Sequence, residues 1–381
     1  EYKITCIQGK HMEDIYISGT GVWTPPHKIS NDELVESYNQ YVDLFNAENA
    51  DQINTGVIDA LEHSSSEFIV KASGIKSRYV IEKDSLLDPM RMKPLIKARA
   101  DDELSFSAEV SVKAAKQALE NADLKPTDID CVIVSAANLQ RAYPAIAIEV
   151  QNELGIEGYA YDMMVGCSAS TFGINNAFAD IRAGKSSKIL VISPEITSGH
   201  NNFKNRDGHF IFGDVCTAVV IEKASKAKNK FKIIDTKLKT TFSNNIRNNF
   251  GYMNTIEDKE YSESEQLFVQ NGRRVFKEVM PFVSSLILDQ LNEHDLSPED
   301  IERYWLHQAN INMNAYVIKK LLGDDFSSDR APIVLDEYAN TSSAGSIIAF
   351  HKYNQLDDGQ KGIICSFGAG YSICSILLEK A

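Results

Sequence analysis

Two stretches of this chain repeat one another, and the repeat places a thiol opposite a carboxamide. Cys167 lies in Val165-Gly166-Cys167-Ser168-Ala169-Ser170 and Asn340 in Tyr338-Ala339-Asn340-Thr341-Ser342-Ser343, and a shift of 173 residues superimposes them. A third reactive side chain, His307, ends the short apolar run of Trp305-Leu306-His307-Gln308-Ala309-Asn310. A cysteine between a buried strand and the first turn of a helix feels the positive end of the helix dipole. It is therefore expected to have a lowered pKa and to act as a nucleophile. His307 at a strand end and Asn340 at a helix start fall at the junction of the matched copies, where ligands bind in open α/β sheets. Taken singly, each has a plain alternative: an inert buried thiol, a structural histidine and an N-capping asparagine.

The duplication extends further. A shift of 172 lays Leu119–Ile129 over Leu291–Ile301, matching Leu, Asp, Leu, Pro, Asp and Ile. A shift of 157 lays Val219–Ala224 over Ile376–Ala381. Two copies are too few for a solenoid and imply two similar halves with a site where they meet. The expected halves are residues 13–225 and 226–381. In the first, helical spacing covers Phe106–Ala122 and 168–183, and apolar runs mark strands at Cys131–Ala136, 159–165, 188–193 and 218–222. In the second, strands are expected at 231–240, 304–307, 362–366 and 372–379. Helices are expected at 263–293 (for the most part), Ile311–Leu322 and 340–356. Strands alternating with helices give an α/β class, with helices flanking the sheets.

Two segments break the symmetry: a largely helical insertion at 33–68 and a long polar loop at 194–213. Loops of such length inside a compact domain are usually functional, so both are expected to border the site. Phe367-Gly368-Ala369-Gly370, between the last two strands, offers a backbone N–H to an oxyanion or is a simple hairpin. Gly19-Thr20-Gly21 lacks the third glycine of a dinucleotide fingerprint. His200, Asp207 and His209 share a loop without a spacing that demands a metal.

The chain has 381 residues, 43% hydrophobic and 24% charged, ordinary values for a globular enzyme. Its net charge of −14 argues against nonspecific nucleic-acid binding. No apolar run approaches the roughly 18–20 residues of a membrane span. The six scattered cysteines suit free thiols in a reducing compartment, and no secretory signal is recognised, so a cytoplasmic location is expected. His11-Met12 reads as a cloning junction or a native start at Met12, so residues 1–12 are expected to be an extension outside the fold.

With these residues in place, the chain resembles the β-ketoacyl-acyl carrier protein synthase III family of the thiolase superfamily. The resemblance rests on Ile17–Gly21, Tyr161–Ser168, Phe212-Gly213-Asp214, Asn271–Lys277, Leu306–Asn310, Ala339–Ser343 and Ser366–Gly370. The 33–68 region and Ala137–Ile146 look closest to the β-ketodecanoyl branch, which takes medium-chain primers. The resemblance implies a thiolase-like duplicated α-β-α-β-α layered fold and a homodimer. It implies Cys167 as the acyl-accepting nucleophile, with His307 and Asn340 holding the thioester carbonyl of malonyl-carrier protein during decarboxylation. The N–H groups of Cys167 and Gly368 would form the oxyanion hole, and no metal or redox cofactor would be needed. It further implies acyl-CoA and acyl carrier protein as partners, contacted by Phe68, Phe212, Phe276, Lys277, Lys319 and Lys320. Met163, Met164 and Phe212 would line the acyl pocket. Phe68, Ala72 and Asn312 replace a tryptophan and two arginines of well-known relatives, so a rearranged CoA clamp is expected. The rivals are a Claisen enzyme of secondary metabolism, a 3-hydroxy-3-methylglutaryl-CoA synthase, for which no catalytic glutamate is placed, and an inactive acyl-binding subunit.

Overall fold

The computed structural model describes residues 13–324 and 326–381, so the 1–12 extension lies outside the described residues. A nine-stranded mixed sheet runs in the order Ile301–Leu306, Lys361–Gly368, Gly370–Lys380, Phe231–Ser243, Ile15–Trp23, Val215–Lys223, Lys188–Glu195, Cys131–Ala136, Tyr159–Met164. The order repeats itself about its middle. Cys131–Ala136 pairs parallel with Lys188–Glu195, which pairs antiparallel with Val215–Lys223, which pairs antiparallel with Ile15–Trp23. In the same way Ile301–Leu306, Lys361–Gly368, Gly370–Lys380 and Phe231–Ser243 pair parallel, antiparallel and antiparallel. The two sets join where Tyr16 and Ile17 pair with Lys232 and Phe231. Among the described residues no second-half strand answers Tyr159–Met164.

The apolar strand runs reflect burial on both faces. In Cys131–Ala136, Ile133 belongs to a core shared with Ile174, Phe178, Ile347 and Phe350, whereas Val132 and Val134 face Ala114, Ala118 and Val150. In the second half, Trp305 and Ile364 join that shared core, whereas Tyr304, Leu306, Ile363 and Cys365 face Val279, Ile287 and Val317. Side chains alternate across a strand, so the molecule has five layers. Outer helices Phe106–Ala122 and Ile146–Leu154 cover one side, and Gly272–Glu293 and Ile311–Leu322 the other. Helices Ala169–Arg182 and Gly345–Lys352 lie between the sheet halves.

Local chemistry repeats as well. Asp123 and Asp295 close their helices at φ of 56° and 53°, and the following Leu124 and Leu296 N–H groups each bond back to Leu119 and Leu291 at 3.0 Å. Such left-handed caps suit Asp, which tolerates positive φ better than most residues. The Gly19-Thr20-Gly21 run serves packing: a Cβ on Gly19 or Gly21 would fall 2.2 or 2.1 Å from the carbonyl oxygens of Ala118 or Ala114. Glycines facing alanines let the helix lie directly on the strand.

The expected helix at 263–293 is interrupted. Glu263–Gln266 forms a short turn, Val269–Gln270 pairs with Ile246–Arg247, and the Asn271 side chain caps a new helix at Gly272. The expected helix at 340–356 starts later, at Gly345, after a tight turn at Ser342–Ala344. The 33–68 insertion provides helix Asn31–Glu48, opened by a Ser30–Glu33 capping box. Its Leu34, Tyr38 and Val42 stack at helical spacing against Phe203, Phe210 and Phe212 of the long loop.

Candidate active site

Cys167 follows the strand Tyr159–Met164. The chain reverses at Gly166, φ 51°, enters a tight turn at Gly166–Ser168 and continues into helix Ala169–Arg182. Glycine is needed here on two counts, the left-handed backbone and an Ala369 Cβ only 3.1 Å from where its own would lie. The turn is pinned to the other half: Ser168 Oγ donates to Ser372 O at 2.8 Å, and Ser372 Oγ donates to Ala369 O at 3.0 Å.

His307 directly follows strand Ile301–Leu306, its N–H donating to Cys365 O at 2.8 Å. Its ring is buried, stands edge-on to Phe367 at 5.1 Å, and keeps Nδ1 without a hydrogen-bond partner. Gln308 fixes the following chain by donating to Leu306 O at 2.9 Å and accepting from Val334 N at 3.0 Å.

Asn340 is held by the long loop. Its N–H donates to Ile211 O at 2.9 Å and its carbonyl accepts from Gly213 N at 3.1 Å, which makes a bridge with Phe212. The Oδ1 accepts from Ser342 N at 2.9 Å. That bond occupies the acceptor end of the amide and leaves Nδ2 as a donor with no partner among the described residues.

The three side chains meet at Ser342. Its hydroxyl stands at the Cys167 thiol, its backbone approaches the His307 ring, and its N–H holds Asn340. Ser342 adopts φ 52°, unusual for a non-glycine residue, and its buried Oγ has no partner at normal hydrogen-bond geometry. Nothing in the sequence singled it out. Its repeat counterpart, Ala169, has no hydroxyl.

The electrostatics differ from the expectation at Cys167. Burial pushes the thiol up to about 11, against smaller lowering effects from the Ser342 side chain and the N–H groups of Ala369 and Cys167; the Glu195 charge raises it further. Desolvation thus outweighs the helix terminus. Burial lowers His307 to about 4, so its imidazole is neutral. Burial also lifts Glu195 to about 7, countered by its bonds to Ser343 and Ala137.

A second difference concerns Gly368. The N–H that approaches the sulfur beside that of Cys167 is the one on Ala369. Gly368 instead provides room, since a Cβ there would fall 2.4 Å from Cys167 Cβ and 3.0 Å from Sγ.

The expected contact residues are more dispersed. Phe212 is buried beside Asn340 and packs edge-on to Phe268 at 4.7 Å. Phe268, Asn201, Asn205, Arg247 and Arg273 line a cavity of about 480 Å³, which therefore adjoins the Asn340 loop through the Phe268–Phe212 contact. Phe68 packs edge-on to Phe210 at 5.8 Å, and the Arg206 guanidinium covers its ring at 4.6 Å. Phe276 packs against Tyr316. Lys277, Lys319 and Lys320 are exposed on helices, and Lys319 is paired with Asp324 at 2.5 Å. Met163 is half-buried and Met164 is 61% exposed. His209 stacks on Tyr38 and its Nδ1 lies 2.8 Å from Arg206 O, a structural setting. Among the described residues no group of His, Cys, Asp and Glu could hold a metal, no helix is long and apolar enough to cross a membrane, and five cysteines are free.

Comparison with known proteins agrees in both sequence and shape. Two family models match, 3-oxoacyl-[acyl-carrier-protein] synthase III over residues 161–241 and its C-terminal counterpart over residues 291–380. A beta-ketodecanoyl-[acyl-carrier-protein] synthase of Pseudomonas aeruginosa is 52% identical over 349 residues, covering 91% of this chain and all of that one. A beta-ketoacyl-[acyl-carrier-protein] synthase III of Methylococcus capsulatus is 28% identical, covering 95% and 98%. The crystal structure of 3-oxoacyl-[acyl-carrier-protein] synthase III from Aquifex aeolicus superimposes with a TM-score of 0.72 at 23% identity, covering 96% and 99%.

Proposed function

The chain belongs to the 3-oxoacyl-[acyl-carrier-protein] synthase III family of condensing acyltransferases, and from that premise we propose how its residues divide the work. Cys167 Sγ attacks the thioester carbonyl of the acyl primer. The sulfur–carbon bond to the donor breaks, and the thiol proton leaves with the departing thiolate. A proton transfer coupled to attack suits a thiol held near 11, which is rarely ionised beforehand.

Malonyl-carrier protein then binds with its thioester oxygen between Asn340 Nδ2 and an N–H of His307. Loss of carbon dioxide leaves an enolate, whose negative oxygen these two neutral donors stabilise. A cationic imidazole is not required, in keeping with a His307 pKa near 4. The enolate carbon attacks the acyl-Cys167 carbonyl, and the N–H groups of Cys167 and Ala369 receive the resulting oxyanion. Collapse releases the β-ketoacyl product and returns the sulfur.

The observation that carries this reading is the convergence of Cys167, His307 and Asn340 on Ser342. The medium-chain branch supports an octanoyl primer, because a β-ketodecanoyl product is two carbons longer than its primer. The cavity bearing Arg247 and Arg273 is the channel mouth for CoA or carrier phosphopantetheine in this reading, and exposed Lys277 and Lys320 supply basic contacts for the carrier. The exposed edge strand Tyr159–Met164 is the surface for a homodimer. Residues 13–225 and 226–381 are the two domains, and free thiols suit a cytoplasmic location.

Intact-mass measurement with octanoyl-CoA, followed by carbon dioxide release from malonyl-carrier protein, tests the scheme. Cys167→Ser should lose the acyl adduct, whereas His307→Ala and Asn340→Ala should acylate yet fail to decarboxylate. A persistent adduct in the first variant, or normal carbon dioxide release in the others, overturns it.

A further inference from the structure

The duplication relates more than the reactive residues. Strands Lys188–Glu195 and Lys361–Gly368 are also 173 positions apart, end for end, so Glu195 is the counterpart of Gly368. Each strand end reaches across to the turn of the opposite half. Gly368 packs on Cys167, and Glu195 lies beneath the Ser342–Ala344 turn that follows Asn340. Ser170 and Ser343, another pair of counterparts, hydrogen-bond to each other at 2.8 Å, which places the pseudo-twofold axis between them.

Glu195 is 1% exposed and forms no ion pair among the described residues. Its Oε1 accepts from Ser343 N at 3.3 Å, from Ser343 Oγ and from Ala137 N at 3.1 Å, and Oε2 accepts from Ala137 N at 3.3 Å. The peptide that donates through Ser343 N directly follows Ser342, whose own N–H holds the Asn340 amide. Ser342 has the uncommon φ of 52° and requires restraint from outside its own turn.

We propose that Glu195 is a positioning residue for the decarboxylation step, clamping Ser343 so that Ser342 presents the Asn340 amide to the substrate carbonyl. This rests on the reading of Asn340 given above. It assigns the hydrogen bonds of the buried carboxylate to one half of the reaction: Glu195 reaches Cys167 only through the field of its charge, and the Cys167 turn is pinned separately, through Ser168 and Ser372. Glutamine replaces it only in part: its oxygen can take the bonds made to Oε1, but its Nε2 carries only donors and would face the Ala137 N–H that Oε2 now accepts at 3.3 Å, which turns the amide away from its place under Ser343.

The test compares Glu195→Gln, Ser343→Ala and Asn340→Ala in the full-length enzyme. Cys167 acylation by octanoyl-CoA is followed by intact mass, and carbon dioxide release from malonyl-carrier protein in a separate measurement. Glu195→Gln should acylate within about threefold of the parent but release carbon dioxide on the order of 10–100-fold more slowly, the scale of a small misplacement in an active site. Ser343→Ala, a mild change, should show the same one-sided loss to a smaller extent and covers the case in which Glu195→Gln does not fold. Equal losses in both half-reactions, or none in either variant while Asn340→Ala loses decarboxylation, overturn the role of Glu195. Normal decarboxylation by Asn340→Ala overturns the underlying reading instead.

Discussion

Resting Cys167 should behave as a protonated thiol, and its alkylation rate measures this directly. With its pKa pushed from 9.0 to about 11, on the order of one sulfur in 10⁴ is ionised at pH 7, against roughly one in 10² without the shift. Only the thiolate reacts with iodoacetamide. The rate constant for Cys167 in the acyl-free enzyme, followed by peptide mass with Cys167→Ser as background, should therefore climb about tenfold per pH unit from pH 8 to about 10, without levelling off. Ser342→Ala removes a contact that favours the thiolate, so alkylation at pH 9 should slow further. The four other described cysteines are buried, which keeps the signal specific. A plateau between pH 6 and 8 would mean that the helix terminus outweighs burial, and the coupled proton transfer proposed for acylation would lose its basis.

Three further outcomes are expected. Gly368→Ala should slow acylation by on the order of 10²-fold while native circular dichroism persists, because the new Cβ would fall 2.4 Å from Cys167 Cβ; normal acylation would place the hairpin elsewhere. His307 should show no ring ¹⁵N titration between pH 5.5 and 8. Because its folded pKa of about 4 lies below 6.5, its contribution to stability is complete above pH 6.5 and is lost as pH falls through 4, a dependence that His307→Asn should reduce. Gly21→Val should destabilise the protein by about 1–3 kcal/mol or more in urea unfolding, since its Cβ would meet the Ala114 backbone at 2.1 Å; an unchanged midpoint would contradict the close helix–strand contact.

Where local signals and tertiary contacts agreed, the sequence was readable. Phe106–Ala122, Cys131–Ala136 and Ile311–Leu322 have the bounds that their apolar spacing implies. The spacing failed where a distant partner intervened. Val269–Gln270 leaves the helical pattern to pair with Ile246–Arg247, and the turn before Gly345 exists because Asn340 and Glu195 hold Ser342 and Ser343 from either side. The site followed the same division. Cys167, His307 and Asn340 were visible as residue types at strand and helix ends. The direction of the Cys167 shift was not, because it is set by how deeply the thiol is buried, and the groups that stand against it, Gly368, Ala369 and Ser342, all come from the other half. Lys319, a contact residue by resemblance, is paired with Asp324 five positions on, a pairing that depends on how the chain turns after the helix ends at Leu322.

The contact between Ser170 and Ser343 bears on whether the two halves can exist apart. Each supplies one of the central helices, and the shared core is filled from both sides, by Ile174 and Phe178 from one and Ile347 and Phe350 from the other. Cut between residues 225 and 226, either fragment would expose an oily sheet surface. Each would also keep only part of the proposed set of reactive groups: Cys167 without Asn340 and His307, or the reverse. Activity regained on mixing the fragments would therefore report that this seam had closed again.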